Sequence, residues 1–240
     1  MDVTKLTRPA RKLLPLKTCG AVIVAAGNAS RMGGIDKVMA LLGGEPMIVR
    51  TVRAFQNCDA IASIVIVTRE DLIRPISGLC RDMSKVTAVV CGGSSRQESV
   101  HLGLNALPKG TKLAAVHDGA RPLISWQVID RVVRAANTYG GAAPAIPVKD
   151  TIKVVKGGLV ESTPDRASLQ AVQTPQVFDF DLLRGALKKA EEDKAQVTDD
   201  CSAVERLGMK IKIVEGDERN LKVTTPMDLK IAELLLEETK

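Results

Sequence analysis

A chain of 240 residues with 45% hydrophobic and 26% charged residues is long enough to bury a substantial core. Its net charge is +6 but its aromatic content is only 2%, so the stacking platforms of single-strand and RNA binders are missing and the charge does not indicate nucleic acid. No uncharged apolar run approaches the ~18 residues of a membrane span.

The charge is uneven. Residues 1–18 form a basic segment carrying Lys5, Arg8, Arg11, Lys12 and Lys17 against Asp2. The apolar Leu13-Leu14-Pro15-Leu16 is too short for a secretory h-region. We expect a flexible, solvated tail followed by one domain over 19–240. The five cysteines, Cys19, Cys58, Cys80, Cys91 and Cys201, form no Cys-x-x-Cys, and neither His101 nor His117 lies at zinc-ligand spacing. Several lie in or beside apolar runs and read as small buried thiols, in a protein of reducing cytoplasm.

The first element is Ala21 to Ala26, an uncharged apolar run that reads as a strand buried on both faces. A glycine-rich loop follows. Gly27, Gly33 and Gly34 allow the backbone close to a ligand, and Arg31 and Lys37 add positive charge, which suits a polyphosphate. The loop is not a Walker A sequence, and of the dinucleotide fingerprint positions held by Gly27, Ala29 and Met32 only the first is Gly. An ordinary strand-to-helix loop with solvated cations is the alternative reading.

Pro46-Met47-Ile48-Val49 opens a helix with Ile48, Val52 and Phe55 on one face, and 62–68 is a β-branched strand. Residues 70–82 read as a helix broken or bent by Pro75 and Gly78. A strand over 86–91 ends in Gly92-Gly93, and Ser95-x-x-Glu98 resembles a capping box for the next helix. A strand over 112–118, a helix carrying Trp126, Ile129, Val133 and Ala136, and a strand over 142–148 follow. The prolines of that last strand suggest an edge position.

Residues 149–172 break the alternation. Thr151 to Val155, a Gly157-Gly158 turn and Leu159 to Glu161 read as a β-hairpin or arm, which should lean on something else because two strands alone are marginal, a second subunit being the natural candidate. Helices near 179–193 and 200–207, short strands near 211–215 and 221–224, and a helix capped by Thr225 with Pro226 and Asp228 complete the chain. The alternation implies an α/β fold: a doubly wound, mainly parallel, Rossmann-like sheet with a protruding β-arm for dimerisation.

Ligands of such sheets gather at the carboxyl ends of strands. Those ends carry Ala25-Ala26-Gly27, Gly92-Gly93 and His117-Asp118-Gly-Ala-Arg121. A carboxylate such as Asp118 beside polyphosphate suits Mg²⁺, although capping of the following helix is an alternative. His117, pointing to the other side, reads as packing. With two histidines and no Gly-x-Ser-x-Gly elbow, nucleophilic hydrolysis finds little support. A phosphate monoester, whose second pKa is ~6, is already ionised near neutral pH and needs positioning rather than a base. Arg31, Lys37, Arg121, Arg166 and Lys222 are the cations available.

Seven strings in order resemble one family: Ala25-Ala-Gly-x-x-x-Arg31-Met, Gly92-Gly-x-x-Arg96-x-x-Ser99-Val, Val116-His-Asp-x-Ala-Arg121-Pro, Val148-x-Asp150-Thr151, Gln173-Thr-Pro-Gln176-Val-Phe, Thr198-Asp-Asp-x-Ser-Ala-Val-Glu205 and Asn220-x-Lys222-Val-Thr-x-Pro. The family is 2-C-methyl-D-erythritol 4-phosphate cytidylyltransferase. The resemblance implies transfer of CMP from CTP to methylerythritol phosphate with release of diphosphate, Mg²⁺ as cofactor and a homodimer built through the arm. It implies catalytic roles for Arg31, Lys37 and Lys222, and a metal-carrying role for Asp118. A cytidine pocket would comprise Ala25, Ala26, Gly27, Gly92, Gly93, Ser94 and Ser99. Asp118, Arg121, Thr151, Arg166 and Thr174 would bind the acceptor, Thr151 and Arg166 from the partner's arm.

Asp36 stands where the family has Pro, Ala29 where Gly is common and Gln170 where an aromatic is common, which bears on the loop geometry more than on the reaction. A sister activity on ribitol 5-phosphate uses much the same motifs. A nicotinamide-dependent oxidoreductase is disfavoured by the incomplete glycine fingerprint and by Tyr139, the only tyrosine, which has Ala143 at the fourth position after it. The retained Arg31, Lys37, Asp118 and Lys222 argue against an inactive nucleotide sensor.

Overall fold

The computed structural model describes residues 15–27 and 37–238. In chain order these form β1 (Cys19–Ala25), β2 (Leu41–Leu42), β3 (Glu45–Pro46), α1 (Met47–Gln56), β4 (Ser63–Thr68), α2 (Glu70–Leu79), β5 (Val86–Cys91), α3 (Arg96–Ala106) and β6 (Leu113–Asp118). Then come α4 (Trp126–Tyr139), β7 (Gly141–Pro147), β8 (Val154–Lys156), β9 (Leu159–Ser162), β10 (Gln170–Val172) and β11 (Gln176–Asp179). The chain closes with α5 (Phe180–Glu192), α6 (Asp200–Glu205), β12 (Lys212–Glu215) and α7 (Pro226–Glu237).

Period-2 alternation explains the layers. In β1, Cys19, Ala21 and Ile23 face a core shared with α1, α2 and α4, while Val22 faces a second core shared with α3, α5 and α6. The sheet is therefore covered on both sides, which is why its central strands are apolar throughout. β4, β1 and β6 lie side by side and parallel, with β5 parallel beyond β4. The chain runs from β1 outward to β5 and then returns to place β6 on the other flank of β1. That reversal opens a crevice at the carboxyl ends of β1 and β6.

Four expectations are corrected. β7 is not an edge strand: β10 and β11 pair with it antiparallel on one side and β12 pairs parallel on the other. Pro144 is tolerated there because its carbonyl, the only backbone group it offers, accepts from Gln173 N at 2.8 Å. α2 is not broken at Pro75 or Gly78 but continues through both to Leu79, short of the expected 82. Residues 221–224 form no strand and are held instead by Val223 N donating to Ala120 O at 2.9 Å. Glu98 does not close a capping box on Ser95: Ser95 Oγ accepts from Glu98 N, but the Glu98 carboxylate reaches Ser94, accepting from its N and its Oγ at 2.7 Å each.

The arm hairpin is shorter than expected, with its first strand starting at Val154, and its Gly157-Gly158 turn has φ of +58° and +82°, a left-handed pair that glycine adopts freely. Both strands are exposed along their full length. At the other end of the sheet, Lys17 N donates to Asn137 Oδ1 at 3.1 Å, and Asn137 Nδ2 donates to Pro15 O at 3.2 Å. These bonds tie residues 15–17 to α4, while residues 1–14 of the expected tail lie outside the described residues. Among the described residues no helix is long and apolar enough to cross a membrane.

Candidate active site

The crevice is a cleft of about 520 Å³ whose lining includes Ala25, Ala26, Gly27, Lys37, Gly92, Gly93, Ser94, Ser99, Asp118 and Lys222. Each expected nucleotide-pocket residue is thus brought to one place, together with two of the three expected catalytic cations. Arg31, the third, lies outside the described residues, as do Ala29, Gly33, Gly34 and Asp36.

Small residues make this cleft because larger ones do not fit. A Cβ on Gly92 would collide with the Ala26 side chain and come within 2.9 Å of Ser99 Oγ. Ser99 is 2% exposed, and its hydroxyl accepts from Gly93 N at 3.1 Å while donating to Ser95 O at 2.8 Å. It shapes the glycine turn from behind. Ser94 sits at the cleft surface with its N–H and hydroxyl both engaged by Glu98.

Asp118 ends β6 and is the electrostatic centre of the site. Its Oδ2 lies 2.9 Å from Lys222 Nζ and 3.6 Å from Arg121 Nε, and its Oδ1 lies 3.6 Å from Arg96 Nε. Burial opposes the charged form, yet Lys222, Arg96 and Arg121 together hold the carboxyl well below the usual carboxylate range. Asp118 is therefore an anion in a field of cations, which is the field an entering polyphosphate would join. Arg121 donates from Nη1 to Asn220 O at 2.7 Å, so the segment bearing Lys222 is fastened to the end of β6.

Thr174 lies beneath the floor. Its Oγ1 accepts from Asp118 N at 3.2 Å and lies 3.0 Å from His117 Nδ1. His117 Nε2 lies 3.4 Å from Arg121 O. A neutral ring protonated on Nε2 satisfies all three contacts: Nε2–H donates to Arg121 O, Thr174 donates to Nδ1, and Thr174 remains free to accept from Asp118. Burial pushes the His117 pKa down to about 3, in keeping with this form and with the packing role expected for it.

Thr151 and Arg166 are not in the cleft. Both stand on the exposed arm, and Arg166 Nη1 donates to Lys149 O at 2.8 Å, beside an open hollow at the arm's base. Residues that sequence reasoning left unassigned are brought in instead. Arg96 lines the cleft and bridges Asp118 to the buried Asp200, and Thr68, Arg69, Glu70 and Cys91 complete one wall. Arg96 and Asp200 belong to two of the motif strings, so the signal for them was present; their partnership was not.

The chemistry available follows from this set. Among the described residues no histidine lines the cleft, and its charged groups are four cations, Lys37, Arg69, Arg96 and Lys222, against two carboxylates, Asp118 and Glu70. Such a site can neutralise and orient anions in a groove of backbone groups.

Comparison with known proteins bears on the same features. The model of the family described as IspD, 2-C-methyl-D-erythritol 4-phosphate cytidylyltransferase, matches residues 19–238. A protein of that name from Symbiobacterium thermophilum is 46% identical over 219 residues, covering 90% of this chain and 92% of its own. Another from Geobacillus thermodenitrificans is 46% identical over 220 residues, covering 90% and 96%. The crystal structure of 4-diphosphocytidyl-2C-methyl-D-erythritol synthase from Anaerococcus prevotii superposes with a TM-score of 0.86 at 28% identity, covering 95% of this chain and 100% of that one. That of 2-C-methyl-D-erythritol 4-phosphate cytidylyltransferase from Thermus thermophilus gives 0.75 at 31% identity, covering 90% and 98%. A match this long takes in the sheet, the arm and the cleft together, and the chain belongs to the 2-C-methyl-D-erythritol 4-phosphate cytidylyltransferase family.

Proposed function

We propose that the cleft transfers CMP from CTP to 2-C-methyl-D-erythritol 4-phosphate, giving 4-diphosphocytidyl-2-C-methyl-D-erythritol and diphosphate. A phosphate oxygen of the acceptor attacks the α-phosphorus of CTP, the new P–O bond forms, and the bond to the β-phosphate breaks to release diphosphate. The acceptor phosphate is already ionised near neutral pH, because its second pKa is ~6. No protein base is required, and the demand falls on alignment and charge neutralisation. The observation that carries this reading is the convergence of Lys37 and Lys222 on one cleft beside Asp118 and the glycine turn.

Within that reading Lys37 and Lys222 contact the triphosphate and the α-phosphate, and Arg31 joins them from the loop. Ala25 to Gly27 and Gly92 to Ser94 supply the base pocket. Asp118, Arg121 and Thr174 orient the acceptor, Thr174 through the Asp118 backbone N–H it holds.

Mg²⁺ fits the donor set. The ionised Asp118 carboxylate lines the cleft, and its Oδ1 meets Arg96 Nε only at 3.6 Å, beyond hydrogen-bond range, so this oxygen can still offer a lone pair to a cation. Magnesium commonly takes one or two carboxylates and completes its octahedron with phosphate oxygens and water. When bound it supplies charge neutralisation of the triphosphate.

The arm supports a homodimer in which Thr151 and Arg166 serve the partner's site. Val155, Leu159 and Val160 are 57%, 77% and 60% exposed, an apolar hairpin surface left uncovered in one chain. Five free cysteines, four of them buried, support a cytoplasmic setting.

Incubation with CTP, Mg²⁺ and each acceptor in turn, following diphosphate release, tests the reaction. Methylerythritol phosphate is expected to turn over faster than ribitol 5-phosphate, which the family match does not favour. Faster release with ribitol phosphate would replace the acceptor named here.

A further inference from the structure

Arg96 is the first residue of α3, directly after the glycine turn, and it reaches in two directions. Its Nη2 donates to Asp200 Oδ2 at 2.7 Å, and its Nε lies 3.6 Å from Asp118 Oδ1. Asp200 is the first residue of α6, and its side chain is 1% exposed. The start of α6 is in turn fastened to β11: the Gln176 side chain donates to Asp199 Oδ2 at 2.7 Å and accepts from Cys201 N at 2.9 Å. Asp200 is therefore anchored to the sheet one strand away from Asp118.

A buried ion pair is a weak source of stability, because desolvation cancels much of the attraction. This one also leaves Asp200 Oδ1 without a partner. What it does secure is direction. A planar guanidinium bonded firmly at one end presents its remaining N–H groups along a defined line.

Asp118 is flanked from both sides, with Lys222 Nζ at 2.9 Å and Arg121 Nε at 3.6 Å from Oδ2, and Arg96 Nε at 3.6 Å from Oδ1. The three cations differ in freedom. The Lys222 side chain is 43% exposed, whereas those of Arg121 and Arg96 are 12% and 31% exposed. An incoming phosphate would draw away Lys222 first. We propose that Arg96, clamped by Asp200, is a positioning residue that keeps the Asp118 carboxylate in place when Lys222 leaves it for the nucleotide phosphates. This rests on the cleft being the site of cytidylyl transfer. Because Arg96 and Asp200 act through Asp118, the effect of removing Asp200 should vanish once Asp118 is gone.

A double-mutant cycle on the full chain tests this, using Asp200→Asn and Asp118→Asn singly and together, with kcat, both KM values and the thermal midpoint as readouts. Asp200→Asn keeps the volume and an acceptor for Arg96 but removes the charge that clamps it. The expected result is a kcat loss of about tenfold in the wild-type background with KM for CTP within about twofold, shrinking to less than about twofold in the Asp118→Asn background. Equal losses in the two backgrounds would overturn the proposal, since they mark a role independent of Asp118. Arg96→Lys keeps the charge but not the two-ended reach and should lose turnover as Asp200→Asn does; wild-type turnover in Arg96→Lys would also overturn it. If Asp200→Asn does not fold, Arg96→Lys in the two backgrounds runs the same cycle. A wild-type chain that releases no diphosphate from CTP with either acceptor would remove the transfer reading and this inference together. Normal wild-type transfer with additive losses removes the inference alone.

Discussion

Lys222 joins Asp118 at 2.9 Å while 43% of its side chain stays exposed, so its ammonium is both held and available to a phosphate. Removing Lys222 still leaves the buried Asp118 carboxylate beside Arg96 and Arg121, so the cost to folding is small, whereas loss of one donor to a transition state costs about 10² or more in rate. Lys222→Ala is therefore expected to cut turnover by about 10²-fold or more with the thermal midpoint nearly unchanged. Turnover within a few-fold of wild type would remove Lys222 from the mechanism.

His117 makes the opposite case. It is fully buried, 4.9 Å from the Phe55 ring, and burial sets its folded pKa at about 3 against an unfolded value of ~6.5. The folded value is depressed, so between these limits the unfolded chain binds a proton that the folded chain refuses. The contribution is complete above about pH 6.5 and is lost as pH falls towards 3. Urea midpoints should decline steadily from pH 7 to pH 4, and His117→Gln should flatten that decline; an unchanged slope in the variant would show that another group sets it. Both residues were legible as types and positions. That Thr174 would turn its hydroxyl under the floor, and not into the cleft, depended on His117 lying beneath it.

Elements were legible where the determinant is local. Ser95 and Thr225 cap α3 and α7, each accepting from the backbone N–H three residues on. At α7 the capping box is complete, and Asp228 also accepts from Thr224 N and Oγ1 at 2.8 Å each, so the cap braces the segment that carries Lys222. Thr225→Ala should lower folding stability by about 1 kcal/mol, within the usual 0.5–2, and raise KM for CTP more than a surface substitution elsewhere on α7. Denaturant melts and steady-state kinetics check the two parts, and an unchanged KM would uncouple the cap from the site. β10 and β11 were not legible. Their strings Gln170-Ala-Val172 and Gln176-Val-Phe-Asp179 are short and open on glutamine; β10 becomes a strand only by pairing with β7, and β11 only because β6 and β7 flank it. The same sheet turned the proline-containing β7 from an expected edge into an interior strand.

On the scale of the whole molecule, the feature one chain leaves unfinished is the arm. β8 and β9 form their own two-stranded sheet, pairing only with each other among the described residues, and their apolar residues face solvent. Isolated hairpins are marginal in water, so a second copy is the natural cover. The wild-type chain should sediment as a dimer, and replacing residues 152–163 with a short Gly-Ser linker should give a folded monomer of much reduced turnover. A wild-type monomer, or a linker variant that stays dimeric, would separate the arm from assembly.

What the sequence by itself determined was the layered fold, the caps and the residue types of a phosphate-handling cleft, because periodicity, capping and glycine placement act over a few neighbouring positions. What only the tertiary structure decided was the insertion of β11 between β6 and β7, and the bridge from Asp118 through Arg96 to Asp200. The Arg96–Asp200 bond joins residues 104 positions apart. No local pattern encodes such a pairing; it exists because the fold brings the start of α3 and the start of α6 to the same end of the sheet.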